Sequence, residues 1–308
     1  MIMNRLNPMM NTSNPIFVRG LSRSGGTLLV TILDAHPDIA MSYELYPNLL
    51  SPLTEAKLDT DDFLEILSGS RKGKKLEQNP DSRPLQIFVN RCPRGGLERK
   101  DLATLVEKHL ASGDNFADVA GCLRFIAQCA VKKMNNESKS QWGLKCSNNF
   151  QEYFKIWPRA CFLNMIRDGR DVLASQLNTG SFNKSPSDVG RAWANTHKKF
   201  RALVEAPGVR AYEVYYERLV REPEDEVRRI CEFLGVTFND AMLSFYKRDL
   251  TIYKSPKGHL SIDRISEPVD TSKIGRWKKE LSDEQLNGFY SGARDAMVRY
   301  GYLRAGER

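Results

Sequence analysis

The chain has 308 residues, 41% hydrophobic and 27% charged, with 21 Gly and 14 Pro, which is the composition of a globular protein and excludes a fibrous or disordered one. No stretch approaches the roughly 20 consecutive apolar residues of a membrane helix, and residues 1–10 carry no signal-like apolar run, so a cytoplasmic location is expected. Against 38 Asp and Glu stand 46 Lys and Arg, a net charge of +8 that asks for an anionic partner without naming it.

In chain order, residues 15–21 read as a short buried strand, Ser22 to Gly26 as a turn, and residues 27–35 as a helix stopped by Pro37. Residues 51–141 differ in kind, with several prolines, the basic run Arg71 to Lys75 and two helical patterns at 100–111 and 118–134; they are expected to form a helical insertion that shapes an acceptor pocket. Further strands are expected at 142–146, 160–166 and 209–215, the second so apolar that both its faces should be covered. Asp168 caps a helix running to about 178, Pro223 and Gly235 bracket another, and a long loop at 251–280 precedes a helix at 283–300. Alternating strands and helices make this an α/β fold, read here as one domain over residues 1–308. Cys92, Cys122, Cys129, Cys146, Cys161 and Cys231 have neither CxxC pairs nor zinc spacing and are expected to be reduced structural thiols, with no metal.

Two segments carry chemistry. The turn Ser22-Arg23-Ser24-Gly25-Gly26-Thr27 joins a strand to a helix, where unpaired N–H groups and the helix dipole favour an anion by about 0.3–1 kcal/mol per charge. It lacks the G-x-x-x-x-G-K-[ST] spacing of a P-loop. The second segment, Arg167 to Ser175, leaves the apolar strand at its carboxyl end, where α/β proteins bind ligands. Arg170 and Asp171 are expected to form a solvated pair on the helix surface.

Together these segments resemble the nucleotide-binding signatures of sulfotransferases that use 3′-phosphoadenosine 5′-phosphosulfate, here Arg23-Ser24-Gly25-Gly26-Thr27 and Arg167 to Ser175. Leu33-Asp34-Ala35-His36-Pro37, Met165 to Arg170, Val214 to Leu219 and Phe233 to Val236 are similar to the tyrosylprotein branch, over about 14–50 and 142–303. The resemblance implies a P-loop-like three-layer α/β/α fold with a central parallel sheet. It also implies in-line transfer of a sulfuryl group to a hydroxyl or amine of a small molecule, glycan or peptide, without a metal. Glu44 then corresponds to the general base and Lys145 to the lysine that stabilises the moving group. Arg23, Ser24, Gly25, Gly26 and Thr27 would hold the 5′-phosphosulfate, and Arg167 and Ser175 the 3′-phosphate. Tyr215 or Tyr216, Ser261 or Ser266, and Arg276 would close over the donor.

This chain departs from the pattern in places. Gly26 replaces a threonine, Thr179 stands where the branch often has arginine, and Tyr46 and Leu50 stand where the animal branch grasps acidic peptide with arginines. His36 is the other candidate base, though in Ala-His-Pro it serves to end the helix. Competing functions are a P-loop small-molecule kinase, disfavoured because the turn has no lysine, and a non-enzymatic module for an anionic polymer built on Arg71 to Lys75. No nucleic acid is expected. The basic surplus at Arg71 to Lys75 and Arg91 to Lys100 hints at an acidic acceptor.

Overall fold

The computed structural model describes residues 14–146, 150–180, 184–254 and 262–306. Five short strands, β1 (Ile16–Gly20), β2 (Ile39–Ser42), β3 (Gln141–Lys145), β4 (Cys161–Ile166) and β5 (Arg210–Tyr215), form one parallel sheet in the order β2-β3-β1-β4-β5. β1 is central, paired with β4 from Ile16↔Cys161 to Gly20↔Met165 and with β3 from Ile16↔Gly143 to Val18↔Lys145. Its side chains alternate between two cores. Ile16 and Val18 pack with Leu29, Val30 and Leu33 of the helix Gly26–Asp34 and with Val227 and Ile230 of the helix Pro223–Leu234. Phe17 points the other way, into Trp142, Tyr153, Trp157 and Phe162. Helices therefore cover both faces, as apolar runs such as that of β4 require.

Residues 51–141 fold mainly as helices, among them Thr60–Ser68, Arg83–Arg91, Arg99–Ala111 and Val119–Asn136. Local signals set their ends: Asp59 and Asp62 form a reciprocal cap, and Gly69 takes the left-handed stop that a β-carbon would disfavour. Phe63, Phe88, Leu102 and Phe125 share one core with Phe17 and Phe162, so the insertion is packed on the sheet. Arg71 to Lys75 lie in the short helix Arg71–Leu76, where Lys72 pairs with Asp62 at 3.2 Å.

Elements not expected from the sequence include β2 and the helix Pro186–Val204. β2 follows Pro37 and has only four residues, all buried, too few to show a period. The helix Pro186–Val204 buries Val189, Trp193, Thr196, His197, Phe200 and Leu203, and packs against Asp283–Arg299 through Phe289, Ala293 and Met297. All six cysteines are free and buried. Among the described residues no helix is long and apolar enough to cross a membrane.

Candidate functional site

Because the strands are parallel, all five carboxyl ends point the same way, and the chain leaving each one contributes to a single cleft of about 690 Å³. β1 supplies Gly20 to Arg23 and Gly25 to Leu28, β2 supplies Glu44 and Tyr46, β3 supplies Lys145 and Cys146, β4 supplies Arg167 and β5 supplies Tyr216. The insertion adds Arg91 and Arg94, the helix Gly169–Asn178 adds Ser175, and the segment after 262 adds Arg264, Asp270, Lys273 and Arg276.

The turn after β1 is built for an anion. Gly25, at φ 98, is the N-cap of the first helix and gives no side-chain cap, so the first-turn N–H groups are left to a ligand. A β-carbon on Gly25 would lie 2.7 Å from Tyr216 Cδ2 and 3.0 Å from Met165 Cε, whereas one on Gly26 would meet only Lys145 Cε, at 3.6 Å. The turn itself has no lysine, but Lys145 reaches it across the sheet: its Nζ donates to Thr27 Oγ1 at 2.8 Å and to Glu44 Oε1 at 2.7 Å. Arg94 NH1 holds the other carboxylate oxygen at 3.2 Å, and Arg91 NH1 donates to the Glu44 carbonyl at 2.9 Å while lying 5.4 Å from the Tyr46 ring centre. Glu44 is mostly buried, with 16% of its side chain exposed, and takes a left-handed φ of 57°.

On the opposite side, Arg23 Nε donates to Ser175 Oγ at 3.1 Å. Arg167 donates to the Arg23 and Lys273 carbonyls at 3.1 and 2.7 Å and stacks 4.3 Å from the Tyr216 ring centre. Its Nε is buried with no hydrogen-bond partner among the described residues. Burial, then the charges of Arg167, Arg276 and Arg264, hold the Arg23 guanidinium below its ordinary value, against the opposing pull of Glu44. Cations this crowded want an anion between them.

Other predicted residues stand elsewhere. Ser24 is fully buried and its hydroxyl is spent on the Leu21 carbonyl, so it shapes the turn and does not line the cleft. Ser266 is exposed, bonded to the Ile262 carbonyl, and likewise outside the lining; Ser261 lies outside the described residues. Tyr216 lines the cleft while Tyr215 lies under Arg218, 4.9 Å from its ring centre. Arg276 lines it and is tied to Glu280 at 2.8 Å. His36 is buried, with Nε2 2.8 Å from the Thr237 carbonyl and Nδ1 accepting from Asp38 N, so both ring nitrogens are occupied away from the cleft.

Arg170 and Asp171 are not a solvated pair. Arg170 pairs with Asp168 at 2.8 Å and stacks on Trp277, and the fully buried Asp171 accepts from Gly275 N at 2.8 Å and Trp277 N at 3.1 Å. Asp171 thereby fastens the segment that carries Lys273 and Arg276. Sequence reasoning gave no individual role to Arg91, Arg94, Arg264 or Lys273 and read Asp171 as a solvated surface residue; the basic stretch from Arg91 to Lys100 signalled the first two.

Comparison with known proteins is consistent with this geometry. The profile described as the sulfotransferase family matches residues 15–240. The chain belongs to the sulfotransferase family. Within it, the chain falls in the protein-tyrosine sulfotransferase-like branch. It is 27% identical over 280 residues to the protein-tyrosine sulfotransferase of Drosophila melanogaster, covering 86% of this chain and 47% of that protein. With protein-tyrosine sulfotransferase A of Caenorhabditis elegans it shares 25% identity over 307 residues, covering 94% of this chain and 68% of the relative. The chain thus spans about half the length of the fly protein and about two thirds of the nematode one. In three dimensions it is similar to the sulfotransferase domain of the Synechococcus PCC 7002 olefin synthase, with a TM-score of 0.58 at 18% identity over 91% of this chain and 96% of that one, so the sulfotransferase chain has the P-loop-like α/β fold.

Proposed function

We propose that the chain transfers a sulfuryl group from 3′-phosphoadenosine 5′-phosphosulfate to an acceptor hydroxyl that lies beside an acidic group. The observation that carries this reading is the chain of contacts Glu44–Lys145–Thr27 at the mouth of the first helix: a carboxylate, an ammonium and an anion-binding turn within direct reach of one another. The donor supplies an activated sulfuryl group, and its charges suit the residues present. The first-turn N–H groups, Thr27 and Lys145 hold the 5′ end, and Arg23, Ser175 and Arg167 hold the 3′-phosphate. Tyr216, stacked on Arg167, leaves an apolar face beside them.

Transfer of such a group spreads negative charge, so positioning and a fixed positive field do most of the work. Lys145 serves both ends, steadying Glu44 and facing the anion site. Glu44 takes the acceptor's proton as the acceptor oxygen bonds to sulfur and the bond from sulfur to the 5′-phosphate oxygen breaks, releasing 3′-phosphoadenosine 5′-phosphate. The family of the relatives supports a sulfuryl acceptor, and their printed names support a tyrosine-like phenol. Arg91 and Arg94, brought to Glu44 by the insertion, support an acidic group next to that hydroxyl.

Turnover of Glu44→Ala, with tyrosine peptides of acidic and neutral flanks as acceptors, tests this assignment. A fall in kcat of about 10²–10⁴-fold is expected for loss of the base. Undiminished turnover removes Glu44 from the mechanism.

A further inference from the structure

Glu44 reaches Lys145 from an uncomfortable place. A left-handed φ at a residue with a long side chain costs energy and persists only where the surroundings over-determine it. β2, which leads into Glu44, lies at the sheet edge and, among the described residues, has strand pairing only on its β3 side. Its other side is held by a side chain that the reaction does not use.

That side chain is Asp34, the last residue of the helix whose first turn forms the anion site, and it is 1% exposed. Asp34 Oδ1 accepts from Met41 N at 2.7 Å and from Lys133 Nζ at 2.6 Å, and Oδ2 accepts from the Tyr43 hydroxyl at 3.2 Å. Lys133, also 1% exposed, reaches in from the helix Val119–Asn136 and continues to Glu137 at 2.7 Å. Lys139 Nζ donates to the Asp34 carbonyl at 2.6 Å and pairs with Glu137 at 3.0 Å. We propose that Asp34, charged and clamped by Lys133, is a positioning residue for the transfer: through Met41 and Tyr43 it fixes the turn that presents Glu44 to Lys145. This rests on the assignment of Glu44 as the base.

The energetics favour such a role over simple stabilisation. A fully buried Asp–Lys pair loses so much hydration that apolar replacements are often as stable; what the pair adds is one preferred arrangement. Here that arrangement includes both backbone and side chain immediately before Glu44. One helix links the two halves of the site, since Thr27 at its start receives Lys145 and Asp34 at its end holds the strand of Glu44. Burial, then the charge of Asp34, pushes the Tyr43 phenol well above its ordinary range, so its hydroxyl remains a donor to that carboxylate.

A double-mutant cycle tests this, with rates normalised to binding sites titrated by 3′-phosphoadenosine 5′-phosphate and an acidic tyrosine peptide as acceptor. Asp34→Asn keeps the shape and the acceptor for Met41 N while withdrawing the charge from Lys133. It should lower kcat about 10²-fold, the scale of an ångström misplacement, with the affinity for the bisphosphate unchanged. In a Glu44→Gln background the same substitution should cost no further turnover, because it acts through Glu44. An equal loss in both backgrounds, or an unchanged kcat in Asp34→Asn alone, overturns the proposal. Should Asp34→Asn fail to fold, Tyr43→Phe, which removes one hydroxyl, runs through the same cycle with a smaller loss and the same criterion. Full turnover of Glu44→Gln by itself is a separate result that removes the base assignment and this proposal with it.

Discussion

Arg94 and Lys145 share the carboxylate of Glu44, one on each oxygen, yet they arrive from different parts of the chain. Lys145 ends a strand, so its place beside the anion turn follows from its position in an α/β sequence. Arg94 comes from a region with no recognisable pattern and reaches Glu44 only because the insertion folds over the cleft. We expect Arg94→Ala to lower kcat/KM for both acceptors, because Glu44 loses a partner on one carboxylate oxygen, and by about a further 10–100-fold for an acidic acceptor, the worth of one charge-assisted hydrogen bond. Equal losses on both acceptors would detach Arg94 from acceptor recognition. The two adjacent glycines divide in the same way. Gly25→Ala drives a β-carbon against Tyr216 and so disturbs its stack with Arg167, while Gly26→Ala meets only ordinary contact. Titration with 3′-phosphoadenosine 5′-phosphate should show at least about tenfold weaker binding for Gly25→Ala, the size of one lost cation–π or hydrogen-bond contact, and near-normal binding for Gly26→Ala. What misled the sequence reading at Ser24 and Ser266 was the hydroxyl's short reach: each bonds a nearby carbonyl, a local use that no motif reveals.

At the level of elements, the strands and helices that create the cleft were legible, because parallel strands covered on both faces read as apolar runs and their helices carry explicit start and stop residues. β2 was not, since four residues after a proline show no period. The helix Pro186–Val204 had the signal, Ser185 and Pro186 opening a spacing of Val189, Trp193, Phe200 and Leu203, and was still passed over. The segment after 262 is the most consequential case. Its attachment depends on Asp171, which looks like a surface residue of a charged run but is buried against the Gly275 and Trp277 amides. Burial raises the Asp171 carboxyl above its ordinary value, and the two amides together with Arg167 pull it back. Asp171→Ala leaves two inward-facing amides without an acceptor, each costing about 1–3 kcal/mol if it stays dry, so the segment should detach. Affinity for the bisphosphate should fall because Lys273 and Arg276 go with it. Proteolysis should become faster between 266 and 280; unchanged affinity and protection would show that the segment is held by other means.

Across the whole molecule, much of the positive excess sits in the cleft, where eight Lys and Arg side chains face Glu44 and Asp270. Outside the cleft lining, a buried histidine couples stability to acid. His197 is fully buried between Trp193 and Tyr300, with Nδ1 3.3 Å from Asn164 Nδ2 and Nε2 unpartnered among the described residues. Burial, reinforced by the charge of Arg19, lowers its pKa from 6.5 to about 3. The folded state therefore keeps this imidazole neutral at pH values where the unfolded chain has already protonated it. The corresponding stability is fully present above pH 6.5 and drains away as pH falls toward about 3, by up to roughly 1.4 kcal/mol per pH unit for the one proton taken up on unfolding. Urea unfolding from pH 7.5 to 4.5 should show wild type losing stability more steeply than His197→Phe, whose ring suits the same aromatic site and does not titrate. Parallel profiles would mean that His197 is hydrated, or already protonated, in the native protein.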